Sequence, residues 1–142
     1  MIMQTIRMYD ILDIRKTRRP GIVLTTNLPF IPTDQRNLVY KAAQMLMEEF
    51  DVEEGLSIKL VNLSRWQQAW QEAAPMHGAF VGVNRMFHLG LTEEQLMERA
   101  VKVGADVPYC IMRGTALAEG IGEKLTRLPE VPKCYVLIGK PG

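Results

Sequence analysis

Two glycine-punctuated blocks constrain this chain more than any other stretch. The first reads Gly104-Ala105-Asp106-Val107-Pro108-Tyr109-Cys110, and Gly114-Thr115-Ala116-Leu117-Ala118-Glu119-Gly120-Ile121-Gly122-Glu123 follows almost at once. Upstream, Thr92 is a good N-cap, and Glu93 and Glu94 stand in a first helical turn, where the helix dipole favours negative charge. Leu96, Ala100, Val101 and Val103 then recur at helical spacing. Gly104 follows as a helix-ending glycine able to take a left-handed backbone at no steric cost. Pro108 biases Val107 toward an extended shape, so the pattern predicts a strand over 109–112, then a second strand and a Gly-x-Gly turn. Asp106 would then occupy a tight turn between helix and strand. A carboxylate there can take a proton from a substrate hydroxyl, or it can simply bond its own backbone as a solvated turn residue.

The remaining composition sets wide bounds. A chain of 142 residues suffices for one domain with a real core. The 17 Lys and Arg nearly balance the 16 Asp and Glu, so no global field points to nucleic acid or to a membrane surface. The apolar runs fall short of a bilayer span, and the start has no signal-peptide pattern. Cys110 and Cys134 both lie in apolar runs and read as small buried thiols, with neither a disulfide framework nor a metal site. A cytoplasmic, reduced protein is expected, without nucleic-acid or membrane partners.

Strands and helices alternate along the chain without internal repeats. Strands are predicted at 1–8 and 11–15 on either side of Tyr9-Asp10, and at 22–25, 56–61 and 134–139. The basic run Arg15-Lys16-Thr17-Arg18-Arg19 reads as a solvated hairpin end before Pro20-Gly21. A helix is predicted over 37–50, with Leu38, Ala42, Met45, Leu46 and Met47 as its buried stripe, and another over 81–89. The methionines serve as core fillers.

Four of these segments occur together in a recognisable order: Asn37-Leu38-Val39-Tyr40-Lys41-Ala42-Ala43, the helix end from Val83-Asn84 to Leu89-Gly90-Leu91, and the two glycine blocks. In that order and spacing the chain resembles the 4-diphosphocytidyl-2-C-methyl-D-erythritol kinase family of the GHMP kinase superfamily, everywhere except about 62–78. The resemblance implies an α+β fold of the GHMP-kinase N-terminal domain type, a mixed sheet packed against helices. It implies ATP-dependent phosphorylation of the 2-hydroxyl of a small-molecule substrate in non-mevalonate isoprenoid biosynthesis, with ATP and Mg2+ as the family's cofactors. Asp106 matches the family's catalytic base or electrostatic partner of that hydroxyl. Asn37 matches a position near the substrate pocket, although it is equally a plausible N-cap of its own helix. Thr115 would lie beside Asp106 on the adjacent strand and join the substrate-binding set.

Against the family pattern, the chain begins after an N-terminal strand bearing a catalytic Lys and a Tyr-His pair, and it stops where the family continues into a C-terminal domain. Residues 1–142 are therefore expected to form a partial, incomplete N-terminal domain. After Leu60-Val61 the family has a glycine-rich loop whose backbone N–H groups curl around the ATP phosphates. Here the interval runs Asn62-Leu63-Ser64-Arg65-Trp66-Gln67-Gln68-Ala69-Trp70-Gln71-Glu72-Ala73-Ala74-Pro75-Met76-His77, with no glycine and with strong helix formers.

The genetic code offers an explanation. Permitted codons for Asn62 to His77, read from the third base of the first, encode Pro-Val-Pro-Val-Ala-Ala-Gly-Met-Ala-Gly-Gly-Ser-Thr-Asp-Ala. That product has the family's loop at the family's position, which points to a frameshift entering near Asn62 and corrected near Gly78. The coding DNA tests the idea directly, because codons incompatible with the second frame rule it out. No cofactor-binding residues are assigned, and the chain as written is expected to bind ATP weakly or not at all. The alternative is a non-catalytic module in which Trp66 and Trp70, four residues apart on one helical face, meet a protein partner.

Overall fold

A computed structural model describes residues 1–7, 10–61 and 74–137. In chain order the elements are β1 (Ile2–Gln4), β2 (Ile11–Thr17), β3 (Ile22–Thr26), α1 (Leu38–Glu49), β4 (Gly55–Val61), α2 (Ala74–Met86), α3 (Glu93–Ala100), α4 (Val107–Met112), β5 (Thr115–Glu119) and β6 (Lys124–Arg127). They build two three-stranded sheets, ordered β1-β5-β6 and β2-β4-β3. The first is antiparallel throughout; in the second, β4 pairs antiparallel with β2 and parallel with β3.

The strand with the most buried apolar positions takes the centre of the second sheet. Leu56, Ile58 and Leu60 of β4 are buried and alternate along the strand, as its two-residue period requires. This corrects the hairpin expected around 15–19: β2 and β3 do not pair with each other, because β4 runs between them. The crossover from β3 to β4 carries α1, a normal route between parallel strands. Val39, Ala42, Ala43, Leu46 and Met47 form its buried face. Leu38 and Met45, expected in that stripe, only pack against its edge.

α2 crosses β2 closely because two glycines face it. A Cβ on Gly78 would lie 3.0 Å from Leu12 Cδ2, and one on Gly82 would lie 2.6 Å from Ile14 Cδ1. Phe80 and Met76 of α2 are completely buried in the core shared with α1 and β4. Truncating such an aromatic typically costs about 3–5 kcal/mol, so Phe80→Ala is the single change most damaging to this layer.

Three further expectations differ from the structure. The segment 109–112 is not a strand but the end of α4. Pro108 stands in the first helical turn, where a missing N–H costs nothing. Val107, Pro108 and Ile111 bury one helical face, and a short apolar run does not reveal its period from sequence. The predicted strand at 1–8 is realised only as β1; Met8 and Tyr9 lie outside the described residues. Residues 134–137 form no strand and expose Tyr135, Val136 and Leu137. β-forming side chains need a partner edge to make a ladder, and none pairs with this segment among the described residues. Residues 138 and 139 lie outside them, as do Trp66, Trp70 and the interval 62–73 that carries most of the frameshift reading.

Candidate active site

The chain reaches Asp106 through a well-capped helix. Thr92 is the N-cap of α3 that the sequence predicted, and with Gln95 it forms a reciprocal capping box. After α3 the chain turns, with Gly104 N–H donating to Ala100 O at 3.2 Å and Val107 N–H donating to Gly104 O at 3.2 Å. Gly104 is not in the left-handed region that its helix-ending position allowed. Crowding explains the glycine instead: a Cβ there would sit 3.2 Å from both Asp106 Oδ1 and Val107 Cγ2.

Asp106 occupies the N-cap position of α4 with φ −91° and ψ −13°, and its side chain makes no capping bond. It is exposed. Both carboxylate oxygens therefore face a setting in which an acceptor hydroxyl can approach. One turn on, the Cys110 thiol is pushed up to about 12, chiefly by burial and secondarily by the negative charge of Asp106. Cys110 is thus an inert thiol at neutral pH.

The other end of α4 is strained and heavily tied. Arg113 has φ 57° and ψ 178°, a region that costs a non-glycine residue about 1–3 kcal/mol. Tyr109 O–H donates to Gly114 O at 2.8 Å, and Gly114 N–H donates to Thr5 Oγ1 at 2.9 Å. Tyr109 has one proton and gives it to Gly114, so the Thr5 hydroxyl donates across the 3.1 Å contact to Tyr109 Oη. Thr5 N–H closes the knot on Gly114 O at 3.0 Å. From β6, the Arg127 guanidinium donates to Met112 O at 3.2 Å and pairs with Glu93 at 3.0 Å, a favourable cation at a helix C-terminus. Sequence reasoning missed this knot because Thr5 and Tyr109 are 104 positions apart.

Asn37 and Thr115 stand apart from Asp106. Asn37 caps α1: its Oδ1 accepts from Val39 N–H at 2.9 Å, and its Nδ2 donates to Pro32 O at 2.9 Å. It also lines a cavity of about 180 Å³ with Phe30, Pro32, Arg36, Leu60 and Pro75. Thr115 is buried, and its hydroxyl donates to Gln4 Oε1 at 2.6 Å. Between Asp106 and Thr115 the chain runs through α4, where a strand was expected; its six residues span roughly 9 Å at 1.5 Å per residue. Among the described residues no group of three His, Cys, Asp or Glu could hold a metal ion, and no helix is long and apolar enough to cross a membrane.

Comparison with known proteins gives this geometry its context. The chain is 45% identical over 148 aligned residues to 4-diphosphocytidyl-2-C-methyl-D-erythritol kinase of Lachnoclostridium phytofermentans, covering 99% of the chain and 49% of the relative. The kinase of that name from Caldicellulosiruptor bescii is 42% identical over 141 residues, at 99% and 49% coverage. The chain is a homologue of these kinases. It spans about half the length of the curated relatives it matches. No protein-family model matches it. Solved structures of small-molecule kinases share its fold. Homoserine kinase from Cytophaga hutchinsonii superposes with TM-score 0.73 at 18% identity, covering 84% of this chain and 43% of that one. A 4-(cytidine 5'-diphospho)-2C-methyl-D-erythritol kinase superposes with TM-score 0.67 at 22% identity, covering 84% and 41%. The homology covers the Asp106 turn and the Asn37 helix together, since 99% of the chain aligns with each kinase.

Proposed function

We propose that this chain carries the acceptor side of a small-molecule kinase site, for phosphorylation of the 2-hydroxyl of 4-diphosphocytidyl-2-C-methyl-D-erythritol by ATP. The observation that carries the reading is the 45% identity to a kinase of that name across 99% of the chain. Asp106 is the general base. Its carboxylate accepts the hydroxyl proton as the substrate oxygen bonds to the γ-phosphorus, while the bond from that phosphorus to the ADP oxygen breaks. The exposure of Asp106 and its missing capping bond support this role. Asn37 contributes as a wall of the cavity beside α1, and Thr115 by tying β1 to β5, since the polar atoms of both are already engaged.

The glycine-free interval from Asn62 to His77 favours a second part of the reading: the chain as written holds ATP poorly. Catalysis in this chemistry rests on preorganised donors at the phosphates. Calorimetric titration with ATP tests both parts. The chain should show no micromolar binding. A variant carrying the alternate-frame segment Pro-Val-Pro-Val-Ala-Ala-Gly-Met-Ala-Gly-Gly-Ser-Thr-Asp-Ala in place of residues 63–77 should bind ATP and transfer phosphate in a coupled assay. Asp106→Asn in that variant should abolish transfer while leaving ATP affinity intact. Equal ATP affinity of the two chains would rule out the loop explanation.

A further inference from the structure

The second glycine block has no role in the chemistry just described, yet it touches the first. The tip of the β5–β6 hairpin, Gly120-Ile121-Gly122-Glu123, folds back onto the turn that carries Asp106. Gly122 is buried although its neighbour Ile121 is 81% exposed. A Cβ on Gly122 would lie 3.5 Å from Ala105 O and 3.9 Å from Ala105 C. The hairpin tip therefore lies beside the residue preceding Asp106, at a separation that a single methyl group would bridge.

This tip has an unusual conformation, and one side chain holds it. Gly120 has φ +66° and Gly122 φ +114°, both in the region that favours glycine. Glu123 reaches back, and its Oε2 accepts from Ile121 N–H at 2.8 Å. Gly120 leaves room for that carboxylate, because a Cβ there would be 2.5 Å from Glu123 Oε1. Gly122 N–H completes the turn by donating to Glu119 O at 3.1 Å. The two glycines thus serve different needs: Gly120 admits the carboxylate, and Gly122 supplies the left-handed backbone that brings the tip beside Ala105. Within the turn itself, Gly104 leaves room for the Asp106 carboxylate.

We infer that Glu123 is a positioning residue for Asp106, acting through the hairpin tip and the close approach of Gly122 to Ala105. Glu123 fixes the tip, the tip buttresses the turn, and the turn aims the carboxylate. This spacing explains why the two glycine blocks occur close together in the chain. The inference rests on reading Asp106 as the base, but its test does not require catalysis.

The test is amide hydrogen exchange on the full chain, comparing wild type with Glu123→Gln and Glu123→Ala. The reporters are the amides of Gly104 and Val107, which are hydrogen-bonded within the turn. The controls are the amides of Ala42 and Ala43 in the buried face of α1. Glu123→Ala removes a charge-assisted acceptor and should raise exchange at Gly104 and Val107 by about tenfold or more, with α1 unchanged. Glu123→Gln keeps an oxygen acceptor and should fall near wild type. Gly122→Ala should reproduce the Glu123→Ala pattern. Unchanged exchange at Gly104 and Val107 in Glu123→Ala overturns the inference. A rise shared equally by α1 overturns it too, because Glu123 would then serve only global stability. Loss of phosphate transfer in Asp106→Asn is a separate outcome, so failure of the kinase reading remains distinguishable from failure of the brace.

Discussion

Asn37 and Asp106 occupy the same formal position, the N-cap of a helix, and use it in opposite ways. Asn37 is buried, and both ends of its amide are engaged, one by the first turn of α1 and the other by Pro32 O. Asp106 is exposed and makes no capping bond to α4. An Asp at a helix start ordinarily satisfies one of the orphan N–H groups. Here Asp106 has an αR backbone in place of the extended one a capping residue takes, and the carboxylate sits in the space that Gly104 leaves open. A polar side chain with every atom engaged builds the fold, whereas one left out of the helix's own bonding is available for a substrate. Both residues come from the resemblance to one family, yet the fold gives them different work.

The largest expected effect is on the Asn37 side of this comparison. Asn37→Ala should destabilise the protein by about 2–4 kcal/mol, combining a lost cap with an unpaired Pro32 carbonyl, as read by urea denaturation. A cost below that of an ordinary surface substitution would break the contrast. Tyr109→Phe comes next. It removes the hydroxyl that joins Gly114 to Thr5, and about 1–2 kcal/mol of stability should be lost.

The pH profile of stability sharpens the same contrast at the seam of α2 and α4. His77 Nδ1 is buried with no hydrogen-bond partner among the described residues. Burial first, and the charge of Arg113 second, hold its pKa below the ordinary 6.5. The unfolded chain therefore binds this proton more readily, and stability should decline as pH falls below about 6.5. Cys110 acts at the other limit: with its pKa raised from 9.0 to about 12, its contribution is intact below 9.0 and is lost as pH rises toward 12. His77→Gln should flatten the acid limb and Cys110→Ala the alkaline limb in denaturation measured across pH. The smallest effect belongs to Asp106→Asn, which should change stability by no more than about 0.5 kcal/mol. A larger loss would mean that Asp106 supports the fold after all.

Much of the scaffold was legible before the structure. The Asn37 cap, the helix that follows it, the Thr92 capping box and the β4 strand each carry a local signal, because capping and periodicity act within a few residues. The site was legible only in part. Asp106 stood out by its glycine and proline neighbours, but α4 was misread as a strand, and that error placed Thr115 beside Asp106. The four residues that follow Pro108 satisfy either period, and burial of Val107, Pro108 and Ile111 on one face chose the helix. The exposed segment at 134–137 is the converse case, strand-forming residues with no edge to join.

The sequence by itself determined the Asn37 and Thr92 helix caps, the β4 strand and the residue types at the Asp106 turn. These follow from local chemistry and from motifs read along the chain. Tertiary structure alone decided that β4 separates β2 from β3, that Thr5 meets Tyr109, and that Gly122 comes to lie beside Ala105. Such contacts join residues distant in the chain, and their strength comes from packing and hydrogen bonding that exist only once the core has formed.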